Sequence, residues 1–207
     1  MENQNYPFYN TPLPYAYDAL EPYIDEKTMH LHHDRHLQTY IDNLNQVMKQ
    51  NPWLQSMSLE ELLVNIPAFP QKVGTQIQHN AGGVYNHRLF FETMSDEKNT
   101  MPVGDLMEKI VNTFGSYDRF KEMFKAAALK VFGSGYAWLV TNGAEYYIVT
   151  TPNQNTPLEF GFYPIIGIDV WEHAYYLKHY NERAAYIDDW FQVADWKKAE
   201  ERLLSLS

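Results

Sequence analysis

Between Asp25 and Lys49 the chain contains neither proline nor glycine, and Met29, His33, His36, Tyr40, Leu44 and Val47 recur at steps of three and four. That spacing places them along one face of a long helix, with Asp25 as its N-cap and Pro52 closing the segment beyond its end. Most of the stability of such a helix comes from packing that face against another element. Helical spacing returns from Lys72 to Met94, which predicts a helical hairpin. Between the two arms, Ser58 and Glu61 have the capping-box spacing before Leu62 and Leu63, predicting a short helix that ends near Pro67. The polar run Ser95 to Thr100 interrupts the pattern and divides the chain into an N-terminal helical-hairpin domain, 1–97, and a C-terminal domain, 98–207, with a site between them.

In the second half, Val103 to Phe114 reads as one helix, and Ser116 caps another that carries Phe120, Phe124, Ala128 and Val131. The period then changes. Tyr136 to Val140 and Glu145 to Thr151 flank Asn142-Gly143, the signature of a β-hairpin with a type I′ turn, and Pro164 to Val170 is a third, β-branched strand. Helical character resumes from about His173, with Trp190, Val193, Trp196 and Leu203 as candidate core. The fold class is therefore α+β: an N-terminal long helical hairpin followed by a small three-stranded antiparallel sheet covered by helices.

Composition narrows the chemistry. The chain has no cysteine, so disulfides, thiolate metal sites and iron–sulfur clusters are excluded, and a metal must be held by imidazole and oxygen. A net charge of −10 disfavours nucleic acid and anionic membrane as partners. No apolar run approaches the ~20 residues of a membrane span. Met1 to Pro14 lacks the basic start and apolar centre of a signal peptide, so a cytoplasmic protein is expected.

Three segments carry candidate ligands. His32, His36 and Tyr40 stand at i, i+4 and i+8 of the first helix, as do Gly83, His87 and Phe91 in the later one. Gly82-Gly83 costs helix stability, which is expected either where another group approaches closely or where the helix kinks. Asp169 and His173 stand four apart where the third strand ends, a spacing that can chelate one ion. Three imidazoles and one carboxylate suit Mn, Fe or Zn, and not Ca or Mg. The bland alternative for the histidines is a set of buried, hydrogen-bonded side chains.

The segments Thr28 to Tyr40, Asn86-His87, Phe132 to Leu139 and Asp169-Val-Trp-Glu-His-Ala-Tyr-Tyr176 together resemble the iron/manganese superoxide dismutases, from Leu13-Pro-Tyr through the C-terminal helix. The resemblance implies that two superoxide radicals and two protons become dioxygen and hydrogen peroxide at one redox-cycling ion per subunit. It implies His32, His87, Asp169 and His173 as metal ligands with solvent as a fifth, Tyr40 and His36 as gateway residues, and Gln154 as the partner of the bound solvent. Gly83, leaving room for a glutamine from the later segment, favours manganese, with iron as the alternative. A homodimer is also implied, in which Glu172 reaches a histidine ligand across the interface and Tyr176 contacts His36 of the partner subunit.

An anionic substrate meeting an acidic protein requires a local positive funnel, for which Arg35 and Arg183 are the candidates. Three positions depart from the family pattern: Leu37 replaces a second histidine beside His36, while Phe91 and Tyr136 each replace a tryptophan. Two other functional classes remain at this stage, a non-catalytic scaffold and a zinc-dependent hydrolase. Metal identity and redox activity separate the three.

Overall fold

A computed structural model describes residues 2–206. The long first helix is present as a continuous helical run whose middle is wound differently. It comprises α1 (Glu26–Leu31), a π-helical turn (His32–Leu37) and α2 (Gln38–Gln50). Asp25 caps the run as expected, its carboxylate accepting from the Thr28 N–H at 2.8 Å and from the Thr28 hydroxyl at 2.6 Å. The capping box at Ser58 and Glu61 forms and starts α3 (Leu59–Val64). The second arm is α4 (Gln71–Glu92), which packs along α2; Ile41, Leu44 and Met48 of α2 and Ile77, Ala81 and Val84 of α4 are all buried. A stretch of α4 from Ala81 to Phe91 is buried on every side, as expected of a helix enclosed by two layers.

The polar loop after α4 leads to α5 (Gly104–Phe114) and α6 (Tyr117–Lys130), and Ser116 caps α6 by accepting from the Arg119 N–H at 3.0 Å. The sheet consists of β1 (Gly135–Thr141), β2 (Tyr146–Pro152) and β3 (Tyr163–Asp169) in the order β2-β1-β3, antiparallel throughout. The central strand β1 is entirely buried. Three short helices complete the chain: α7 (Tyr176–His179), α8 (Arg183–Val193) and α9 (Trp196–Leu204). Helix α6 packs on β1 and β2, while α4 and α9 pack on β3, so the sheet is covered as the sequence pattern predicts. Trp190, Val193, Trp196 and Leu203 are all in the core.

The hairpin turn departs from expectation. Thr141 pairs with Tyr146, so the loop holds four residues, and within it only Gly143 takes a positive φ, +96°. A type I′ turn needs positive φ at both central residues. Asn142 instead uses its side-chain oxygen to accept from the N–H groups of Ala144 and Glu145, at 3.0 and 2.8 Å, a local alternative open to any asparagine before a turn.

Candidate metal centre

The four candidate ligands converge from four elements. His32 opens the π-helical turn, His87 lies in the last two turns of α4, Asp169 is the last residue of β3, and His173 follows in a 3₁₀ turn (Glu172–Ala174). One ligand atom from each falls within 4.8 Å of all the others. The three imidazole Nε2 atoms crowd one carboxylate oxygen, Asp169 Oδ2: His32 at 3.1 Å, His173 at 3.4 Å and His87 at 3.8 Å. The other oxygen, Oδ1, accepts from the Trp171 N–H at 2.8 Å, which fixes the carboxylate plane.

The contacts of His32 and His87 with Asp169 are not ion pairs. Burial lowers His32 to about 4 against the opposing hydrogen bond to Asp169. Burial, reinforced by His32, also holds His87 well below its ordinary value. For Asp169, burial alone would raise the carboxyl, but the close His173 and His32 imidazoles outweigh it and hold the group below the usual carboxylate range. His87 Nδ1 lies 2.7 Å from the Gly83 carbonyl, to which it can only donate, so in the neutral ring Nε2 carries a lone pair. That lone pair faces an ionised carboxylate, and the Nε2 atoms of both His87 and His173 are buried without a hydrogen-bond partner. Lone pairs from buried imidazoles converging on a carboxylate repel one another unless a cation lies among them. The donor set of three nitrogens and one oxygen therefore fits a first-row transition metal.

Around this centre lie the other expected residues. Gln154 is buried between the chain's two halves: its Nε2 donates to the Tyr40 hydroxyl at 3.2 Å, and its Oε1 accepts from Asn86 Nδ2 at 3.1 Å. The Tyr40 ring lies 5.3 Å from that of His87, and burial raises its hydroxyl above the ordinary value. His36 stacks on His173 at 4.1 Å and 20°, with its outer edge in solvent.

The adjacent glycines do mark close approach, but at Gly83 the approaching group is not the glutamine. A Cβ at Gly83 would lie 2.4 Å from the Tyr40 ring, whereas one at Gly82 would lie 2.1 Å from the backbone oxygen of Gln154. The expectation that Gly83 clears space for Gln154 is thus corrected: Gly82 clears it, and Gly83 seats Tyr40. Successive residues on a helix point about 100° apart, so neighbouring glycines serve neighbouring partners.

With this geometry in place, comparison with known proteins is decisive. Residues 7–95 match the family described as iron/manganese superoxide dismutases, alpha-hairpin domain, and residues 102–202 match the C-terminal domain of the same family. The chain belongs to the iron/manganese superoxide dismutase family. It is 45% identical to the protein named superoxide dismutase [Mn] of Listeria innocua, over 92% of this chain and 94% of that one. It is 44% identical to superoxide dismutase [Mn] 2 of Bacillus anthracis, over 93% and 92% respectively. Superoxide dismutase [Mn] 1 of Leptolyngbya boryana is 45% identical over 92% of this chain and 78% of its own length.

Several features of this superoxide dismutase were not legible in its sequence. Asn86, noted only as a neighbour of His87, is the residue that holds Gln154, donating also to the backbone oxygens of Gln154 and Asn155. Tyr186 lies fully buried and donates to the Asp169 carbonyl at 2.8 Å. Trp171 stacks on His173 at 5.3 Å. The three departures are all buried: Phe91 packs edge-on to His32 at 5.0 Å, Leu37 joins the core, and Tyr136 stacks on Trp138 at 5.1 Å. Leu37 and Phe91 also line a cavity of about 740 Å³ shared with Leu13, Tyr15, His33 and Arg88.

The two arginines differ. Arg35 is exposed on the π-helical turn. Arg183 is tethered instead: its guanidinium donates to the carbonyls of Val131 and Gly133 at 2.6 and 2.8 Å and to the Tyr175 hydroxyl at 3.1 Å. Glu172 and Tyr176 are exposed, and no hydrogen bond or ion pair joins either side chain to the described residues. Among the described residues, no helix is long and apolar enough to cross a membrane.

Proposed function

We propose that this chain is a superoxide dismutase that holds one manganese ion through His32, His87, Asp169 and His173, and converts two superoxide radicals and two protons into dioxygen and hydrogen peroxide. The observation that carries this reading is the convergence of three imidazole nitrogens, two of them buried without partners, on one ionised carboxylate oxygen. When bound, the ion supplies a one-electron acceptor for the first superoxide and a one-electron donor for the second. The protein's residues do the rest. Asp169 keeps its charge in the interior, and burial keeps His32 and His87 neutral and available. Gln154 donates to the Tyr40 oxygen, which leaves the Tyr40 hydrogen free to be offered to substrate. His36, stacked on His173 with an edge in solvent, stands with Tyr40 at the entrance. Phe91, Phe90 and Trp171 form the apolar wall around the imidazoles, which keeps bulk water away and strengthens every charge interaction inside.

Manganese is favoured over iron by the names of the relatives and by the delivery of Gln154 from the C-terminal half through the gap that Gly82 leaves. We further read the chain as two domains, 1–97 and 98–207, with the centre between them, and as a homodimer. Exposed Glu172, Tyr176, Leu177 and Phe132 support the dimer: Arg183, through its bonds to the carbonyls of Val131 and Gly133, brings Phe132 beside the start of α8. A zinc hydrolase would need a carboxylate base besides the ligand, and the described metal-binding cluster contains none beyond Asp169.

The test is metal content per chain by elemental mass spectrometry, with superoxide dismutation assayed before and after chelation and after reconstitution with manganese or iron. About one manganese per chain with activity restored by manganese is expected. Activity with iron alone would keep the reaction and overturn the metal, and a metal-binding chain inactive with both would leave the scaffold reading.

A further inference from the structure

Ahead of α1 the chain runs as a strap along the helical hairpin, and its hydrogen bonds fall on two residues that directly follow metal ligands. Arg88 follows His87 on α4 and is buried. Its guanidinium donates to the strap at the carbonyls of Glu2, Asn3 and Tyr9, at 3.2, 2.8 and 2.8 Å, and at the Asn3 side-chain oxygen, at 3.0 Å. His33 follows His32 on the π-helical turn and is also buried. Its carbonyl accepts from Asn10 Nδ2 at 3.0 Å, and its Nε2 donates to the Thr11 carbonyl at 2.9 Å. Three consecutive residues, Tyr9, Asn10 and Thr11, therefore bridge the residue after one ligand to the residue after another. The bridge is stiffened from within. Asn3 donates to the carbonyls of Asn5 and Pro7 at 3.2 and 3.0 Å, and its side-chain oxygen accepts from the Tyr9 N–H at 2.8 Å. A planar guanidinium with donors in a fixed fork holds such carbonyls in one orientation, which a single ammonium could not do.

We propose that the strap, fastened by Arg88 at one end of this bridge and by Asn10 at the other, sets the separation of His32 and His87 and slows loss of the bound ion. Arg88 and Asn10 are then positioning residues for the metal centre. This inference rests on the ligand set of the dismutase reading above. The rings of His32 and His87 lie only 4.8 Å apart, so a small slide of α4 against the π-helical turn changes how the two nitrogens meet one ion. An ion escapes when its ligands let go in succession, and a ligand on a pinned segment closes again before the next one opens. Supporting contacts of this kind decide whether a site is held to within the ~0.5 Å that productive geometry requires. Cutting the bridge leaves the two helical segments packed but free to shift along each other.

The test compares manganese-loaded wild-type protein with Arg88→Ala, Asn10→Ala, the double variant and Asn45→Ala. Asn45 supplies the control, because it ties the strap to α2 through the N–H and carbonyl of Phe8, at 2.9 and 2.7 Å, outside the bridge. Transfer of manganese to excess chelator is followed at a temperature where every variant is folded. Arg88→Ala and Asn10→Ala are each expected to speed it about tenfold, the lower end of what loss of a ligand's outer partner costs in affinity. The double variant should add little, since both changes open one bridge. The electron paramagnetic resonance spectrum of the manganese(II) form follows ligand geometry and not stability; it should change in both bridge variants and stay as in the wild type in Asn45→Ala. A wild-type transfer rate or spectrum in either folded bridge variant would overturn the proposal. So would an equal acceleration in Asn45→Ala, which is the mark of general destabilisation, or full additivity in the double variant. Removing Arg88 strands buried carbonyls, so if Arg88→Ala does not fold, Asn10→Ala against Asn45→Ala decides. Wild-type protein that retains no manganese would overturn the ligand set itself, whereas retention by the wild type with unchanged variants removes only this inference.

Discussion

His87 combines the two properties that the centre demands of a ligand. Its Nδ1–H is tied to the Gly83 carbonyl at 2.7 Å, and its Nε2 is left bare in a buried site. His87→Ala is expected to lose metal and dismutation together, by more than the ~10–100-fold that loss of a ligand's outer partner costs. Full metal content in that variant, read by elemental analysis, would exclude the ligand set. The adjacent glycines make a finer prediction. Gly82→Ala would drive a Cβ to 2.1 Å from the Gln154 backbone oxygen, and Gly83→Ala to 2.4 Å from the Tyr40 ring. Both are expected to destabilise by ~1–3 kcal/mol through overpacking. Gly82→Ala should cost more because backbone yields less than a ring, and denaturant unfolding would rank the two. At this scale the sequence could mark that something approaches Gly82-Gly83, but which partner meets which glycine depends on the packing of α4 against α2 and the loop at Gln154.

Among the elements, the first helix was legible in length and start but not in winding. Steps of three and four fit an α-helix, and nothing in the composition of His32 to Leu37 announces a π turn. Such turns often occur at functional sites, where the inserted residue re-aims the side chains on either side. The cap at its start is a separable contribution: Asp25→Ala is expected to cost about 1 kcal/mol in thermal unfolding, with little change in metal content. Next to the centre, Asp34 accepts from Tyr17 at 2.6 Å and faces His33 and His30. Burial alone would raise its carboxyl, but these hydrogen bonds hold it down to about 2 from an ordinary 3.8. A carboxyl lowered by folding stabilises the native state above its unfolded value and loses that contribution as pH falls. In metal-free protein, Asp34→Asn should therefore flatten the loss of stability between about pH 4 and pH 2, measured by urea midpoints. An unchanged acid limb would mean that the Tyr17 bond adds nothing to folding. The hairpin was legible as a hairpin, but its turn type was not, since Asn142 had a side-chain alternative to positive φ.

Across the whole molecule, the metal centre couples regions far apart in sequence, as the His32 to Asp169 contact spans 137 residues. Metal binds the folded arrangement and not the open chain, so chelation is expected to lower stability by roughly 4 kcal/mol when metal stands a thousandfold above its dissociation constant. For a chain of this size that is a fall of about 10 °C in melting temperature, reversed by manganese in a concentration-dependent way. A melting temperature indifferent to metal would mean that the four ligands do not share an ion. Local rules sufficed for the helical hairpin, the caps, the three strands and the candidate ligands, because helix period, strand alternation and donor chemistry are written within a few residues of one another. Only the tertiary structure decided that Gly82 serves Gln154 and Gly83 serves Tyr40, that Asn86 and Tyr40 hold the Gln154 amide, and that Arg183 is tied to the backbone at Val131 and Gly133. Each of these depends on a contact between segments that no local pattern relates, and buried polar groups take their partners from whatever the packing brings within hydrogen-bond reach.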